Sequence, residues 1–261
     1  MNSILEMARE VTTCASAQGM LHPLSTRVEH HREQNYDFRL RIAINLRKKQ
    51  HATTGALKIN PFLPYEEALY VTALGPEHVC ILNKYNVLPE HLLIITRQFE
   101  SQESALTEQD FAALMMIMGQ SGGLGFFNGG KIAGASQPHK HLQWVPADEE
   151  QFPLLSVECP PFLHQDQPLN RLDGKTCYEA YTALAREQQW QPGKAFNLLI
   201  TRERMRGIPR QQAEIAGTSI NSLGFAGSFF VPDDGSAEKL RRHGLMTALC
   251  QASGYPALSP D

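Results

Sequence analysis

The sequence predicts an α+β fold, a mostly antiparallel sheet with helices packed on it, and two periodicities carry that expectation. From Phe38 to Leu46, Phe38, Leu40, Ile42, Ile44 and Leu46 alternate with Arg39, Arg41, Ala43 and Asn45. That is the period-two pattern of a half-buried strand. Apolar runs at Val79–Leu82, His91–Arg97 and Ala195–Arg202 supply further strands, while helical spacing recurs at 3–19, 108–119, 178–189 and 237–251. Sheet faces of this kind are buried by laying helices on them.

A chain of 261 residues has room for one large domain or two unequal ones. With 42% hydrophobic and 20% charged residues it reads as an ordinary globular protein. A net charge of -3 gives no reason to expect nucleic acid or a membrane surface as partner, so an acidic metabolite would need a local positive patch. The first twenty residues show no signal-peptide h-region, and no apolar run approaches the ~20 residues of a membrane span. Cys14, Cys80, Cys159, Cys177 and Cys250 are odd in number and form no C-x-x-C, so free thiols and a cytoplasmic location are expected.

In chain order, the helix at 3–19 has a rough apolar face of Ile4, Leu5, Met7 and Val11, and Pro23 follows it. The strand from Phe38 ends in the basic cluster Arg47-Lys48-Lys49, either a solvated strand end or a phosphate anchor. Asn60 to Tyr65 is a proline-punctuated loop. Thr107, with Asp110 three residues on, should cap a helix from Glu108 to Gly119. Residues 147–175 are rich in proline, acid and amide and read as a long connector. A glycine-broken run from Ile220 leads into an apolar strand ending at Val231, and Ser236 should cap one last helix from Ala237 to Gln251.

The chemistry concentrates between Phe126 and Trp144, FFNGGKIAGASQPHKHLQW. A glycine-rich stretch able to approach a ligand closely precedes His139-Lys140-His141-Leu142-Gln143-Trp144. If that piece is extended, His139, His141 and Gln143 share one face while Leu142 and Trp144 bury on the other. Gly125 to Lys131 mimics a P-loop, but Ile132 stands where the magnesium-binding hydroxyl belongs and Pro138 hinders the required helix. Three readings of the histidine pair remain: incidental strand residues, a metal site with a third ligand from elsewhere, or nucleophilic attack by an imidazole. The last needs one ring nitrogen free, the other held by an acceptor, and donors for phosphate oxygens. Gln143, Ser136 and the loop amides could supply the donors.

From Asn128-Gly129-Gly130 through His139-Lys140-His141-Leu142-Gln143, the chain resembles the histidine-triad-like (HIT-like) superfamily, in the branch where glutamine replaces the last histidine. Two further blocks, Leu82 to His91 and Phe196 to Arg202 followed by Ile220 to Gly227, narrow the likeness to the diadenosine tetraphosphate (Ap4A) phosphorylases, or ATP adenylyltransferases. It spans roughly residues 38 to 231. The resemblance implies a nucleotidyltransferase that turns Ap4A and phosphate into ADP and ATP through an adenylyl-histidine. It makes residues 1–165 the HIT-like catalytic part and 166–261 the part completing the nucleotide site. By position His141 is the nucleophile, His139 orders the site or leaving group, and Gln143 binds the transferring phosphate. Gly134, Ala135, Ser136 and Gln137 hold neighbouring phosphate oxygens; Lys49, Asn83 and Lys84 contact the polyphosphate; Asn128, Asn221, Ser222 and Leu223 touch nucleotide. Arg202 and Arg210 read equally well as phosphate partners or as surface arginines. The implied partners are a dinucleoside polyphosphate and phosphate. No cofactor or structural metal is implied beyond Mg2+ accompanying the nucleotide. Galactose-1-phosphate uridylyltransferases share the covalent logic, but Lys140 replaces their proline and their metal-binding cysteine pattern is absent. A nucleotide-binding module without turnover is the remaining alternative.

Overall fold

Residues 3–44, 60–148, 150–190 and 193–255 are described by a computed structural model. Helix α1 (Ile4–Ala17) is followed by strands β1 (Thr26–Glu33), β2 (Tyr36–Ala43), β3 (Tyr70–Leu74), β4 (His78–Leu82) and β5 (Leu92–Thr96). Helix α2 (Glu108–Ser121) precedes β6 (Leu124–Gly129), β7 (His141–Val145) and β8 (Gln165–Pro168). Then come α3 (Gly174–Glu187), β9 (Phe196–Ile200), β10 (Arg204–Pro209) and the short pair β11 (Glu214–Ile215) and β12 (Thr218–Ser219). The one-turn α4 (Ser222–Phe225), β13 (Ser228–Val231), α5 (Asp234–His243) and α6 (Leu245–Ser253) complete the chain.

Eight strands form one antiparallel sheet in the order β3-β4-β5-β7-β6-β9-β10-β8, with the histidine strand β7 inside it. Pairing of β6 with β9 ties strands before and after the long connector into that sheet. A three-stranded sheet, β1-β2-β13, includes a parallel pairing of β13 with β2.

Side-chain alternation divides the eight-stranded sheet cleanly. Leu92, Ile94, Phe127, Leu142, Trp144, Phe196, Leu198 and Ile200 join one core with residues of α1, α2 and α3. Leu124, Phe126, Val145 and Leu199 point the other way, into a core shared with β2, β13, α5 and α6. Beside it a small cluster of Phe62, Val79, Ile81, Leu93 and Ile95 covers the same face. Polar residues on this second face therefore sit in a gap between two apolar blocks.

The structure corrects several sequence expectations. The 147–175 stretch contains β8 and buries Phe152, Leu154, Phe162 and Leu169, so it is packed rather than a loose connector. The single last helix is two helices, broken where Gly244 adopts φ +90°, and Asp233, not Ser236, caps the first by accepting the Ser236 N–H. The third helix starts earlier than expected, at Gly174, under an Asp173 cap. Strand β1, TRVEHHRE, has no apolar alternation and went unpredicted. Thr107 and Asp110 do form the expected capping box of α2. Among the described residues no helix is long and apolar enough to cross a membrane.

Candidate active site

Registers of the central strands place the polar residues of the second face in a row. Leu93 pairs with Gln143 and Ile95 with His141. Phe126 pairs with Gln143, and Asn128, two residues further along β6, presents its side chain on the same face as Phe126. Asn128 in turn pairs with Asn197. His141, Asn128 and Asn197 thus share one face across β7, β6 and β9.

At the mouth of this row the β6–β7 ladder is interrupted by a side chain. Gln102 Oε1 accepts the His141 N–H at 2.7 Å, while its Nε2 donates to the carbonyls of Asn128 (2.8 Å) and His141 (3.2 Å). The glutamine amide replaces the peptide pairing there and holds the two strands apart.

Hydrogen-bond polarity fixes each imidazole, because each chain of bonds starts at an obligate backbone donor or acceptor. The Phe62 N–H bonds Asn60 Oδ1, so Asn60 Nδ2 donates to His139 Nδ1 at 2.9 Å. His139 Nε2–H then donates to Thr96, at 2.8 Å to its hydroxyl and 3.0 Å to its carbonyl. Both nitrogens of His139 are occupied. His141 is different: Nδ1–H donates to the His139 carbonyl at 2.8 Å, and Nε2 carries no hydrogen bond among the described residues. Phe62 sets its ring edge-on to both imidazoles, with centroids 5.6 Å and 5.4 Å away.

A third histidine enters that the motif did not reveal. The Tyr85 N–H bonds Asn83 Oδ1, Asn83 Nδ2 donates to His91 Nδ1 at 3.2 Å, and His91 Nε2–H donates to Gln143 Oε1 at 2.9 Å. The Gln143 amide is thereby turned so that its NH2 is the group without a partner among the described residues.

Burial pushes His141 down to about 4, against a smaller upward effect of its bond to the His139 carbonyl. His91 is pushed down to about 4 for the same reason, offset in part by its bond to Gln143, and burial also lowers His139. His141 is therefore neutral at neutral pH, with its Nε2 lone pair unprotonated. Unfolded, such rings protonate below about 6.5. Between that value and about 4 the unfolded chain binds more protons, so stability is lost as pH falls through this window. At pH 5 the loss should be on the order of 2 kcal/mol per ring. It is read as a lower urea midpoint at pH 5 than at pH 7, and equal midpoints would contradict two rings buried neutral.

The glycine loop closes the site from one side. Gly134 adopts φ +89°, and a Cβ there would lie 2.7 Å from Asn221 Cβ, so only glycine lets the loop meet the Asn221–Leu223 segment. Ser136 is exposed, while Ala135 and Gln137 are half-buried. Asn221 caps α4 through the Leu223 N–H. Ser222 is wholly buried, and its hydroxyl has two acceptors in reach, Asn128 Oδ1 at 2.7 Å and the Phe127 carbonyl at 2.9 Å. Asn128 Oδ1 accepts from the Ser222 N–H (3.0 Å) and from Asn197 Nδ2 (2.8 Å), which leaves Asn128 Nδ2 without a partner among the described residues.

Of the expected cationic contacts, Lys49, like Lys48, lies outside the described residues. Lys84 is held by both oxygens of Glu66, at 2.6 and 2.8 Å. Arg202 is exposed beside Gly122, beyond the far end of β9. Arg210 is buried, not a surface arginine, and donates to Asn197 Oδ1 at 2.6 Å. Burial lowers it to about 9. Lys140 also goes to the interior: it points to the helix side of the sheet and bonds Asp110, Glu100 and the Ala105 carbonyl. Among the described residues no group of three His, Cys, Asp or Glu side chains could hold a metal ion, so the metal reading of the histidine pair finds no ligand set there.

Comparison with known proteins shows which family the chain resembles. The Ap4A phosphorylase N-terminal domain family matches residues 1–159, and the ATP adenylyltransferase C-terminal domain family matches residues 158–256. Diadenosine 5',5'''-P1,P4-tetraphosphate phosphorylase 2 of Saccharomyces cerevisiae is 28% identical over 231 residues, covering 69% of this chain and 71% of that one. Protein APA1 of the same yeast is 25% identical over 244 residues, covering 75% and 76%. The crystal structure of yeast Ap4A phosphorylase Apa2 in complex with AMP superposes with a TM-score of 0.82 at 24% identity, over 98% of this chain and 99% of that one. The same yeast protein in complex with Ap4A gives 0.82 at 23% identity, over 97% and 98%. The first family match spans more than half of the sequence, and the chain belongs to the Ap4A phosphorylase family.

Proposed function

We propose that His141 is the nucleophile with which this enzyme phosphorolyses Ap4A, giving ADP and ATP. What supports the assignment above all is the free Nε2 of His141 beside a His139 whose two nitrogens are both engaged. His141 Nε2 attacks the α-phosphorus, a P–N bond forms, and the bond from that phosphorus to the bridging oxygen breaks. ATP leaves with the electron pair. An oxygen of inorganic phosphate then attacks the adenylyl phosphorus, the P–N bond breaks, and ADP departs with neutral His141 restored. The imidazolium-like charge that builds on the ring in the first step is spread to the His139 carbonyl through Nδ1–H.

The Gln143 NH2 and Asn128 Nδ2 serve as donors to the transferring phosphoryl group. The Gly134–Gln137 loop and the 221–223 segment lie against it as further nucleotide contacts, and Asn83 acts through His91. Lys84, released from Glu66, and Lys49 neutralise the polyphosphate. Mg2+ enters with the substrate, and no resident metal is assigned. We place the activity in the cytoplasm, in keeping with five free cysteines.

Incubation with Ap4A and isotopically labelled phosphate tests the reaction. Label should appear in ADP and not in ATP. Label in neither, or transfer of UMP to a hexose phosphate in its place, would refute the assignment.

A further inference from the structure

We infer that Arg210 is a positioning residue for the reaction, a buried cation that reaches the substrate phosphate through two asparagine amides. This rests on the reading of Asn128 as a phosphate donor. Arg210 is 4% exposed, yet no carboxylate meets it among the described residues. Its guanidinium donates to Asn197 Oδ1 at 2.6 Å and to the Gln212 carbonyl at 2.7 Å, with a longer 3.4 Å contact to the Ala252 carbonyl. It also lies over the Phe225 ring, 5.2 Å from the centroid. Taking an unpaired cation out of water is costly, and such groups are normally matched by an opposite charge. A polyphosphate arriving at the site supplies that charge.

The path between the two is one-directional. A guanidinium can only donate, so Asn197 must present Oδ1 to it. Asn197 Nδ2 is then turned to Asn128 Oδ1 (2.8 Å) and the Ala133 carbonyl (2.9 Å). Asn128 Oδ1 receives in addition the Ser222 backbone N–H, which allows no flip. The end of the relay is Asn128 Nδ2, on the strand next to that of His141. Each amide is polarised in the same sense, so the positive charge strengthens the last donor. The Ala133 bond ties the glycine loop to the same relay.

The test is a comparison of variants of the full chain. Arg210→Met removes the charge at similar length and leaves Asn197 Oδ1 and the Gln212 carbonyl without that donor, a cost in stability offset in part by no longer burying a charge. The variant should stay folded at assay temperature while kcat/KM for Ap4A falls on the order of tenfold or more. Asn197→Asp is a second, isosteric variant: it keeps a partner for Arg210 but loses the donor to Asn128, and should show a similar loss. Asn128→Ala sets the scale, and Arg210→Met in that background should cost nothing further. Activity within twofold of the parent in folded Arg210→Met or in Asn197→Asp would overturn the inference, as would Arg210→Met and Asn128→Ala losses that multiply. Should Asn128→Ala itself be unimpaired, the reading of Asn128 fails and the inference with it.

Discussion

His141→Gln is expected to reduce Ap4A phosphorolysis by at least roughly four orders of magnitude, the scale seen when a covalent nucleophile is removed. The fold should survive. Glutamine can still donate to the His139 carbonyl, and the strand is held independently by Gln102 at the His141 backbone. Loss of a ring whose neutral form is enforced by burial also removes part of the acid sensitivity, so the variant should lose less stability than its parent between pH 7 and pH 5. His139→Ala should cost less in kcat, since both its nitrogens are spent on Asn60 and Thr96 and its carbonyl remains to receive Nδ1–H. Near-parental turnover by His141→Gln would place the chemistry on another group.

Asp110→Ala should destabilise the fold by about 3–5 kcal/mol. Asp110 is 1% exposed and does three things at once. It caps α2 with Thr107, it accepts from His78 Nε2 at 2.7 Å, and it meets the Lys140 ammonium at 3.2 Å. Burial alone would raise its pKa, but the His78 bond, Lys140 and the Thr107 N–H outweigh it and hold the carboxyl below its ordinary value. Removing it strands a buried ammonium with one surface carboxylate, Glu100. Lys140→Met should be milder, because Asp110 keeps three donors, His78 Nε2 and the Thr107 N–H and hydroxyl, and Glu100 turns to water. Urea unfolding of the two variants compares them directly, and an Asp110→Ala loss no larger than that of Lys140→Met would contradict this ordering.

The two faces of the strand are legible because alternation depends only on neighbours in sequence, which puts His139, His141 and Gln143 on one face and Leu142 and Trp144 on the other. The division of labour between His139 and His141 is not. Alternation treats them alike, and what separates them is Asn60, 79 residues away, together with Thr96. His91 was visible as the start of an apolar strand, but its bond to Gln143 spans 52 residues. Gln102 and Asn197 likewise sit in stretches whose local pattern says only turn or strand; nothing nearby marks a glutamine that replaces a peptide pair. Lys140 stood out as the residue in place of proline, and its role became clear only once α2 laid Asp110 beneath it. Strand β1 escaped for a different reason. It pairs with β2 along its whole length but buries little, so it lacks the apolar alternation by which strands are read.

The most direct measurement is capture of the covalent intermediate. Protein exposed to adenylyl-labelled Ap4A without phosphate, quenched in base and digested, should carry one AMP on the imidazole of His141, lost on mild acid treatment. Label mapped to any other residue, or no label trapped on protein that turns over fully once phosphate is added, would contradict the account.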